Sequence, residues 1–287
     1  MSVAIRSATI ADAEACGSII YDAFSGIARA HGFPADFPSP EAGVELAGNF
    51  IAHPAIFAVV AEQDGRIVGS NFLLEGDAIR GVGPITVAPA AQGSGVGRRL
   101  MLAVLERAEG APSVRLVQDS FNTRSIALYA SLGFEVKEPL LLIEGTPRGA
   151  VPSGSEVRPL VEADLDACAE LCARTHGVAR TGELNDALQL FTPFVVERDG
   201  RVTGYLSAST FWLANHGVAE TEEDMQALLL GAAAMSSGPV ALLLPTRQAR
   251  LFRWCLEKGM RAVKPMILMA MGSYQEPRGP YFPSVFY

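Results

Sequence analysis

The chain repeats two short patterns in the same order, and this repetition limits the folds open to it more than any other feature. The pattern at residues 11–16 returns at residues 163–168, and the pattern at residues 64–69 returns at residues 199–204. The separation between the copies shrinks along the chain, so the second copy is the shorter one. Two tandem copies of one fold are the simplest explanation.

A linker composition separates the two copies. Residues 146–155 are rich in Gly, Pro and Ser, which is typical of a flexible connection. This predicts one domain at residues 1–145 and a second at residues 156–287. A length of 287 residues with 49% hydrophobic content suits two domains that each bury a core of their own.

The charge balance argues against two classes of partner. The formal net charge is −8, which disfavours nucleic acid and anionic membrane surfaces. No apolar run reaches the roughly 18–20 residues that span a bilayer, and the N-terminal residues lack a signal-peptide pattern. We therefore expect a cytoplasmic protein, monomeric or homodimeric, with no nucleic-acid or membrane partner.

Cysteine and histidine usage predicts no metal site. The four cysteines contain no C-x-x-C pair, and the four histidines are scattered without ligand spacing. We interpret the cysteines as small core residues in a reducing compartment.

Hydrophobic spacing in the first copy predicts an alternation of strands and helices. A strand at residues 3–7 comes first. The predicted helices are at residues 11–30, 42–51, 98–108 and 123–132. The later predicted strands are at residues 57–61, 67–74, 79–87, 114–117, 134–137 and 140–144. This order predicts a mixed α/β (α+β) fold.

A glycine-rich loop at residues 92–97 joins a predicted strand to a predicted helix. Three of its residues, Gly93, Gly95 and Gly97, leave the backbone amides unshielded where the helix begins. A helix start has unpaired N–H groups and partial positive charge, so it suits a phosphate. The spacing fits neither a Walker loop nor the Rossmann G-x-G-x-x-G pattern.

The loop and the segment that follows it resemble a known superfamily. Gln92, Gly95 and Gly97 fit the Q/R-x-x-G-x-G loop of the GNAT superfamily of acyl-CoA N-acyltransferases. Asn122, Tyr129 and the Gly-Phe pair at residues 133–134 fit its N-x6-Y-x3-GF pattern. The resemblance implies two tandem GNAT-like domains, each with a mixed, mostly antiparallel sheet flanked by helices.

The resemblance also implies which residues hold acetyl-CoA. The implied cofactor-binding residues are Ile85, Thr86, Val87, Gln92, Gly93, Ser94, Gly95, Val96, Gly97, Arg98, Asn122, Ser125 and Tyr129. Tyr129 is also a catalytic candidate, since it can give a proton to the departing thiolate. Asp119 is a second catalytic candidate, as the base that receives the amine proton, with Glu75 and Asp77 as alternatives.

The second copy lacks this constellation. Its equivalent loop contains Thr221 and is crowded by acidic side chains that would repel a pyrophosphate. These acidic residues are Glu220, Glu222, Glu223 and Asp224. Gln248 and Cys255 stand where the first copy has Asn122 and Tyr129. The pattern around Thr221 favours a self-capped helix, so we expect this half not to bind CoA.

The resemblance implies an N-acetyltransferase that moves an acetyl group from acetyl-CoA to the amine of a small molecule or peptide. Attack would be direct, in a ternary complex without a metal. Two alternatives are a tandem-GNAT biosynthetic acyltransferase of the mycothiol-synthase type and a non-catalytic acyl-CoA sensor. The sequence leaves the acceptor, the acyl-chain preference and the general base open.

Overall fold

A computed structural model describes residues 3–286 and divides the chain into two compact units. The first unit runs up to Leu116 and includes Phe121–Gly133. The second unit holds Val117–Ser120 and everything from Phe134 onwards. The irregular residues 146–154 connect two strands of the second unit. The predicted division into domains at residues 145 and 156 therefore remains a proposal about the two repeated copies.

The first unit is a sheet flanked by helices. Its sheet runs in the order β1-β2-β3-β4-β6, with β5 paired to β3. All pairings described in it are antiparallel except that of β4 with β6. The strands are β1 Val3–Ser7, β2 Ile56–Gln63, β3 Arg66–Leu74, β4 Arg80–Val82, β5 Thr86–Val87 and β6 Ser113–Asp119, whose last residues belong to the second unit. The helices are α1 Ala13–Ala30, α2 Pro40–Ala52, α3 Val96–Arg107 and α4 Thr123–Ser131.

Helices α1 and α2 touch backbone to backbone. A Cβ atom built on Gly17 would lie 2.2 Å from Cα of Val44, and one on Gly43 would lie 2.5 Å from the carbonyl oxygen of Gly17. Real Cβ atoms do not approach backbone this closely, so both glycines are needed for the crossing. Helix α2 begins two residues earlier than the sequence predicted because Ser39 caps it and Pro40 suits the first helical turn.

The prediction of one strand at residues 79–87 was wrong. The structure has two strands, β4 and β5, separated by residues 83–85. Gly83 has φ of +141°, outside the strand region, and Pro84 has no N–H to donate to a ladder. Both strands pair with β3, and β4, before the break, also pairs with β6.

The second unit contains two sheets. One includes β13, β7 and β12 together with the end of β6, and the other runs β14-β11-β10-β9-β8. The strands are β7 Glu135–Gly145, β8 Ser155–Pro159, β9 Phe194–Arg198, β10 Arg201–Leu206, β11 Gly217–Ala219, β12 Val240–Pro245, β13 Arg261–Gly272 and β14 Tyr281–Phe282. The helices are α5 Leu165–His176, α6 Thr181–Leu190, α7 Glu222–Met235 and α8 Ala249–Glu257.

The separation of residues 134–137 from 140–144 into two strands was also wrong. Strand β7 is continuous from Glu135 to Gly145. Pro139 lies opposite Ile267 of β13, one residue beyond the last pairing of β7 with β12. The strand therefore passes through the proline where one of its two neighbours has ended.

The internal repeat is visible in the structure as one ion-pair arrangement that occurs twice. Arg6 lies 2.8 Å from Asp12 and 2.9 Å from Glu62. At the matching place in the second unit, Arg158 lies 2.7 Å from Asp164 and also contacts Glu197. Each aspartate further accepts a backbone N–H three residues before it. The shared arrangement supports two copies of one fold.

Within residues 3–286, no helix is both long and apolar enough to cross a membrane.

Candidate functional site

Helix α3 begins at a glycine that no other residue replaces easily. Gly95 is the N-cap residue with φ of +88° and ψ of 0°, a left-handed conformation that costs other residues about 1–2 kcal/mol. Gly93 also has positive φ, +82°. Gly97 differs, because a Cβ on it would make only ordinary contacts, 3.5 Å from Leu128 and 3.7 Å from Val87. Two of the three loop glycines are therefore required by the backbone.

The first turn of α3 suits an anion. Gly95 has no side chain with which to accept the N–H groups of the turn, and Arg98 and Arg99 supply positive charge there. Helix starts normally favour acidic residues, because the helix dipole is positive at this end. A basic first turn without a side-chain cap is stabilised when a negatively charged ligand takes up the free N–H groups.

Contacts within the loop fix its shape. Gln92 donates from Nε2 to the carbonyl oxygen of Val87 at 3.2 Å, and Ser94 donates to the carbonyl oxygen of Ala91 at 2.6 Å. Arg124 donates from Nη1 to Oε1 of Gln92 at 3.4 Å. A Cβ on Gly93 would lie 2.7 Å from Nη2 of Arg124, so this guanidinium lies directly against the loop.

Arg124 is a residue that the sequence analysis missed. It is exposed in the first turn of α4, and its charge adds to that of Arg98 and Arg99 in the same unit. The signal for it was a basic residue two positions after Asn122. The N-x6-Y pattern leaves this position unspecified.

Strand β5 directs one backbone N–H away from its neighbour. Ala88 donates its N–H to the carbonyl oxygen of Val68 on β3 at 2.9 Å. Because N–H groups alternate sides along an antiparallel strand, the N–H of Val87 points away from β3, whereas that of Thr86 points towards it. Ile85 directly precedes β5. The side chain of Thr86 is buried, with its hydroxyl 3.3 Å from that of Ser70. The Val87 amide is thus placed to donate to a ligand.

Hydrogen bonds connect Asn122, at the N-cap of α4, with Ser125 and Tyr129 along the helix. Asn122 is the N-cap residue, and its Oδ1 accepts the N–H of Ser125 at 3.2 Å. That cap leaves the Nδ2 hydrogens of Asn122 to other acceptors. The Ser125 side chain also hydrogen-bonds Tyr129, whose pKa is raised because the phenol is buried. Tyr129 therefore remains protonated at neutral pH and is a hydrogen-bond donor.

The candidate bases are engaged in ion pairs or turns. Asp119 belongs to the second unit, is 6% exposed and lies 2.7 Å from Nζ of Lys264. That ammonium lies 5.1 Å from the centre of the Trp212 ring. Glu75 is paired with Arg107 at 3.0 Å, and the carbonyl of Asp77 accepts from Arg80. Asp119 would have to exchange its ammonium partner before it could accept an amine proton.

The equivalent places in the second unit are filled by the protein itself. Thr221 caps α7 by accepting the N–H of Asp224 at 3.1 Å, which confirms the self-capped helix. Asp224 is buried against Arg198 at 3.0 Å. Gln248 donates to the carbonyl oxygen of Tyr281. Burial raises the pKa of Cys255 to about 12, so this residue is a neutral core thiol.

The C-terminal aromatic residues pack into the second unit. Tyr281 and Phe282 form β14, are fully buried, and pair with β11. Val285 donates its N–H to the carbonyl oxygen of Leu213. Tyr287 lies outside the described residues.

Comparison with known proteins gives a family for the first unit. The family model described as Acetyltransferase (GNAT) family matches residues 21–134. A mycothiol acetyltransferase from Thermomonospora curvata is 42% identical over 78 residues, which cover 26% of this chain and 26% of that protein. The chain therefore spans about a quarter of that relative's length in this match.

Comparison with solved structures extends the fold over both units. A proposed acetyltransferase from Pyrococcus horikoshii has a TM-score of 0.77 at 18% identity, over 99% of this chain and 94% of its own. A tandem GNAT protein from the clavulanic acid biosynthesis pathway has a TM-score of 0.56 at 15% identity, over 95% and 98%. The whole chain thus has a tandem GNAT-like α/β fold, and residues 21–134 match the family model of GNAT acetyltransferases.

Proposed function

We propose that the first unit is an acetyl-CoA-dependent N-acetyltransferase and that the second unit is a degenerate copy without a CoA site. One observation carries the proposal: the start of α3 is basic, has a left-handed glycine at its N-cap and has no capping side chain. The equivalent helix α7 is acidic and capped by Thr221. One fold therefore has an anion-binding helix start in its first copy and a closed one in its second.

The residues of the first unit suit an acyl-CoA along its length. The amides of residues 93–98 would bind the pyrophosphate, with the guanidinium groups of Arg98 and Arg124 adding charge. The Asn122 amide group would hold the pantetheine arm, and Ser125 would orient Tyr129. The N–H of Val87 would polarise the thioester carbonyl, where negative charge develops during attack.

The reaction follows from these placements. The amine nitrogen attacks the thioester carbon, a C–N bond forms, and the C–S bond breaks as the tetrahedral adduct collapses. Tyr129 either stabilises the leaving thiolate by a hydrogen bond or gives it a proton, which Tyr129 then recovers from solvent. The amine loses its proton to solvent or to a carboxylate. The four cysteines are buried, so direct attack by the amine in a ternary complex is favoured over a cysteinyl intermediate.

The acceptor is a small-molecule or peptide amine in this proposal. A biosynthetic acyltransferase of the mycothiol-synthase type is the second candidate function, favoured by the similarity to mycothiol acetyltransferase and to a tandem GNAT protein. A non-catalytic acyl-CoA sensor is disfavoured by the buried, protonated Tyr129, since binding alone requires no donor at the thiolate. A cytoplasmic location and a monomeric or homodimeric state are part of the proposal.

A glycine pair tests the site directly. Gly95→Glu places a negative charge at the phosphate seat, and Gly65→Glu imposes a comparable positive-φ strain (φ of +74°) at the turn between β2 and β3. A Cβ has open space at both positions. We expect Gly95→Glu to weaken CoA binding at least about tenfold, equal to about 1.4 kcal/mol. Gly65→Glu should bind like the wild type in calorimetry.

The same proteins test the activity. Thiol release from acetyl-CoA is measured across a panel of amines and amino-terminal peptides, with the wild type, Gly95→Glu and Gly65→Glu side by side. Equal CoA affinity in both variants would contradict the proposed site. Tight CoA binding by the wild type without thiol release for any amine would replace the enzyme by the sensor.

A further inference from the structure

Three potential metal ligands meet in the core of the second unit. Cys172 and His176 are one helical turn apart on α5, and His216 directly precedes β11. One ligand atom from each lies within 4.8 Å of the other two, and all three residues are buried. Because His216 comes from a different element, it lies far from Cys172 and His176 in the sequence. The spacing of cysteines and histidines therefore gave no sign of the cluster.

The donor set suits a particular class of metal ion. One thiolate and two imidazoles are ligands that zinc prefers, at about 2.3 Å for sulfur and about 2.0–2.1 Å for nitrogen. Two ligand atoms at those bond lengths lie roughly 3.3–3.8 Å apart in a tetrahedral site. The limit of 4.8 Å in the structure is therefore within small side-chain adjustments of a bound geometry. Calcium and magnesium, which prefer oxygen ligands, do not suit these three side chains.

Neighbouring residues hold the histidine rings in place. The hydroxyl of Tyr205 lies 3.3 Å from Nδ1 of His216, and the ring of Tyr281 meets His176 edge-on at 4.9 Å. The backbone of His216 is fixed on both sides by Ser207, which accepts its N–H at 2.7 Å and donates to its carbonyl oxygen at 2.9 Å. Metal-ligating histidines generally have such supporting partners.

We propose that Cys172, His176 and His216 form a buried structural zinc site that ties α5 to the start of β11. This site is separate from the acyl-donor site and lies within the copy that lacks one. It replaces the sequence-based expectation that the protein uses no metal. Deep burial favours a structural role over a catalytic one, because an open coordination position needs access for substrate.

Cobalt substitution tests the ligands. The full chain is dialysed against a chelator, and Co²⁺ is then added to the wild type and to Cys172→Ser and Cys168→Ser. Cys168 is a matched control: it is buried one turn earlier on the same helix, and burial raises its pKa to about 12. We expect one equivalent of Co²⁺ in the wild type and in Cys168→Ser, with a near-ultraviolet thiolate charge-transfer band. Cys172→Ser should lose that band.

A second measurement covers variants that fold poorly. Zinc content after purification and the thermal midpoint with and without added Zn²⁺ are compared for the wild type and for His216→Gln. For the wild type only, we expect about one retained zinc ion per chain and a higher thermal midpoint when Zn²⁺ is added. The reason is that a ligand that binds the folded state stabilises it. A folded wild type that retains no zinc and binds no Co²⁺ would overturn the proposal. So would an unchanged charge-transfer band in folded Cys172→Ser. Either result would leave the cluster as a neutral hydrogen-bond network.

Discussion

At the scale of single residues, Tyr129 shows how local burial prepares a side chain for chemistry. Its position in the sequence pattern marks it as a candidate, but its protonation state depends on its surroundings. Burial raises its pKa, and the hydrogen bond from the Ser125 side chain opposes that rise only in part. The neutral phenol is disfavoured only at strongly alkaline pH, so it is a donor throughout the pH range in which enzymes usually work.

We predict that Tyr129→Phe lowers kcat by about 10²–10⁴-fold and leaves the Kd of CoA within about twofold of the wild-type value. The reason is that the hydroxyl is needed when the thiolate leaves, whereas the ring can still fill its place in the core. Steady-state kinetics and calorimetry measure the two quantities. Because the pKa of Tyr129 lies above 10, its deprotonation should not lower the wild-type kcat below pH 10. The pH profiles of kcat for the wild type and the variant should therefore have the same shape there. A Kd that rises in proportion to the loss of kcat would make Tyr129 a binding residue only.

The glycines show which part of a motif the backbone requires. Gly93 and Gly95 have positive φ and Gly97 does not, whereas the Q/R-x-x-G-x-G pattern specifies Gly95 and Gly97 and leaves position 93 open. The glycine-rich composition located the loop. The backbone conformation then shows that the fold requires glycine at positions 93 and 95, whereas only a ligand could require it at position 97.

At the scale of elements, the crossing of α1 and α2 depends on two glycines that the sequence analysis did not single out. Their backbones approach so closely that a side chain at either has no room. The sequence predicted this helix from its hydrophobic spacing, and Ile19 and Ile20 on it are buried. It could not show the distance to α2, because that distance is set by how two helices pack.

We predict opposite effects for two glycine substitutions in α1. Gly17→Ala should lower the free energy of unfolding by about 1–3 kcal/mol, since its Cβ would lie 2.2 Å from Val44 and overpacking has that magnitude. Gly26→Ala has nothing within 4 Å of its Cβ and should raise stability by up to about 1 kcal/mol through helix propensity. Urea unfolding measures both. Equal effects of the two substitutions would refute the close crossing.

The two helices α3 and α7 show how one fold diverges at a helix start. Helix α3 has Gly95 and two arginines there, whereas α7 has Thr221 and three acidic residues. This contrast was predicted from the sequence, because capping and charge at a helix start depend on a few consecutive residues. The structure adds that Asp224 is buried against Arg198, which no local pattern indicates.

At the scale of the whole molecule, both copies have the same ion-pair arrangement, although they differ at the helix start that we propose binds acyl-CoA. Arg158 and Asp164 in the second unit match Arg6 and Asp12 in the first. In both units the hydrogen-bonded arginine lowers the pKa of the aspartate. The retained arrangement fixes the first strand of each copy to the turn before its first long helix, so it serves folding and not catalysis.

We predict that Asp164→Asn lowers the free energy of unfolding by about 1–2 kcal/mol at pH 7. A depressed folded-state pKa gives stability that is present above the unfolded value of 3.8 and is lost as the pH falls through the folded-state value. The difference from the wild type should therefore shrink as the pH falls below about 4. Urea unfolding at pH 7 and pH 3 checks this, with the exposed Asp22→Asn as a control of about zero effect. A difference that grows towards pH 3 would contradict the sign.

The sequence by itself determined the features that consecutive residues carry. These are the glycine loop before a helix, the order of Asn122 and Tyr129 behind it, the self-capped start of α7 and the presence of two copies. Each depends on residues that are close together in the sequence, so a sequence pattern can predict it. The two errors in strand bounds both lie at a proline. Pro84 interrupts a segment that was predicted to be one strand, whereas Pro139 lies within one continuous strand.

Only the tertiary structure decided which distant side chains meet. It paired Asp119 with Lys264, placed Arg124 against Gly93, and brought His216 to Cys172 and His176. Such contacts depend on how the strands and helices pack within each unit. The sequence around each residue does not indicate which distant residue it will contact. The positions of the amides in the glycine loop follow from the order of residues, whereas the ion pair of the candidate base and the cluster of Cys172, His176 and His216 follow from packing.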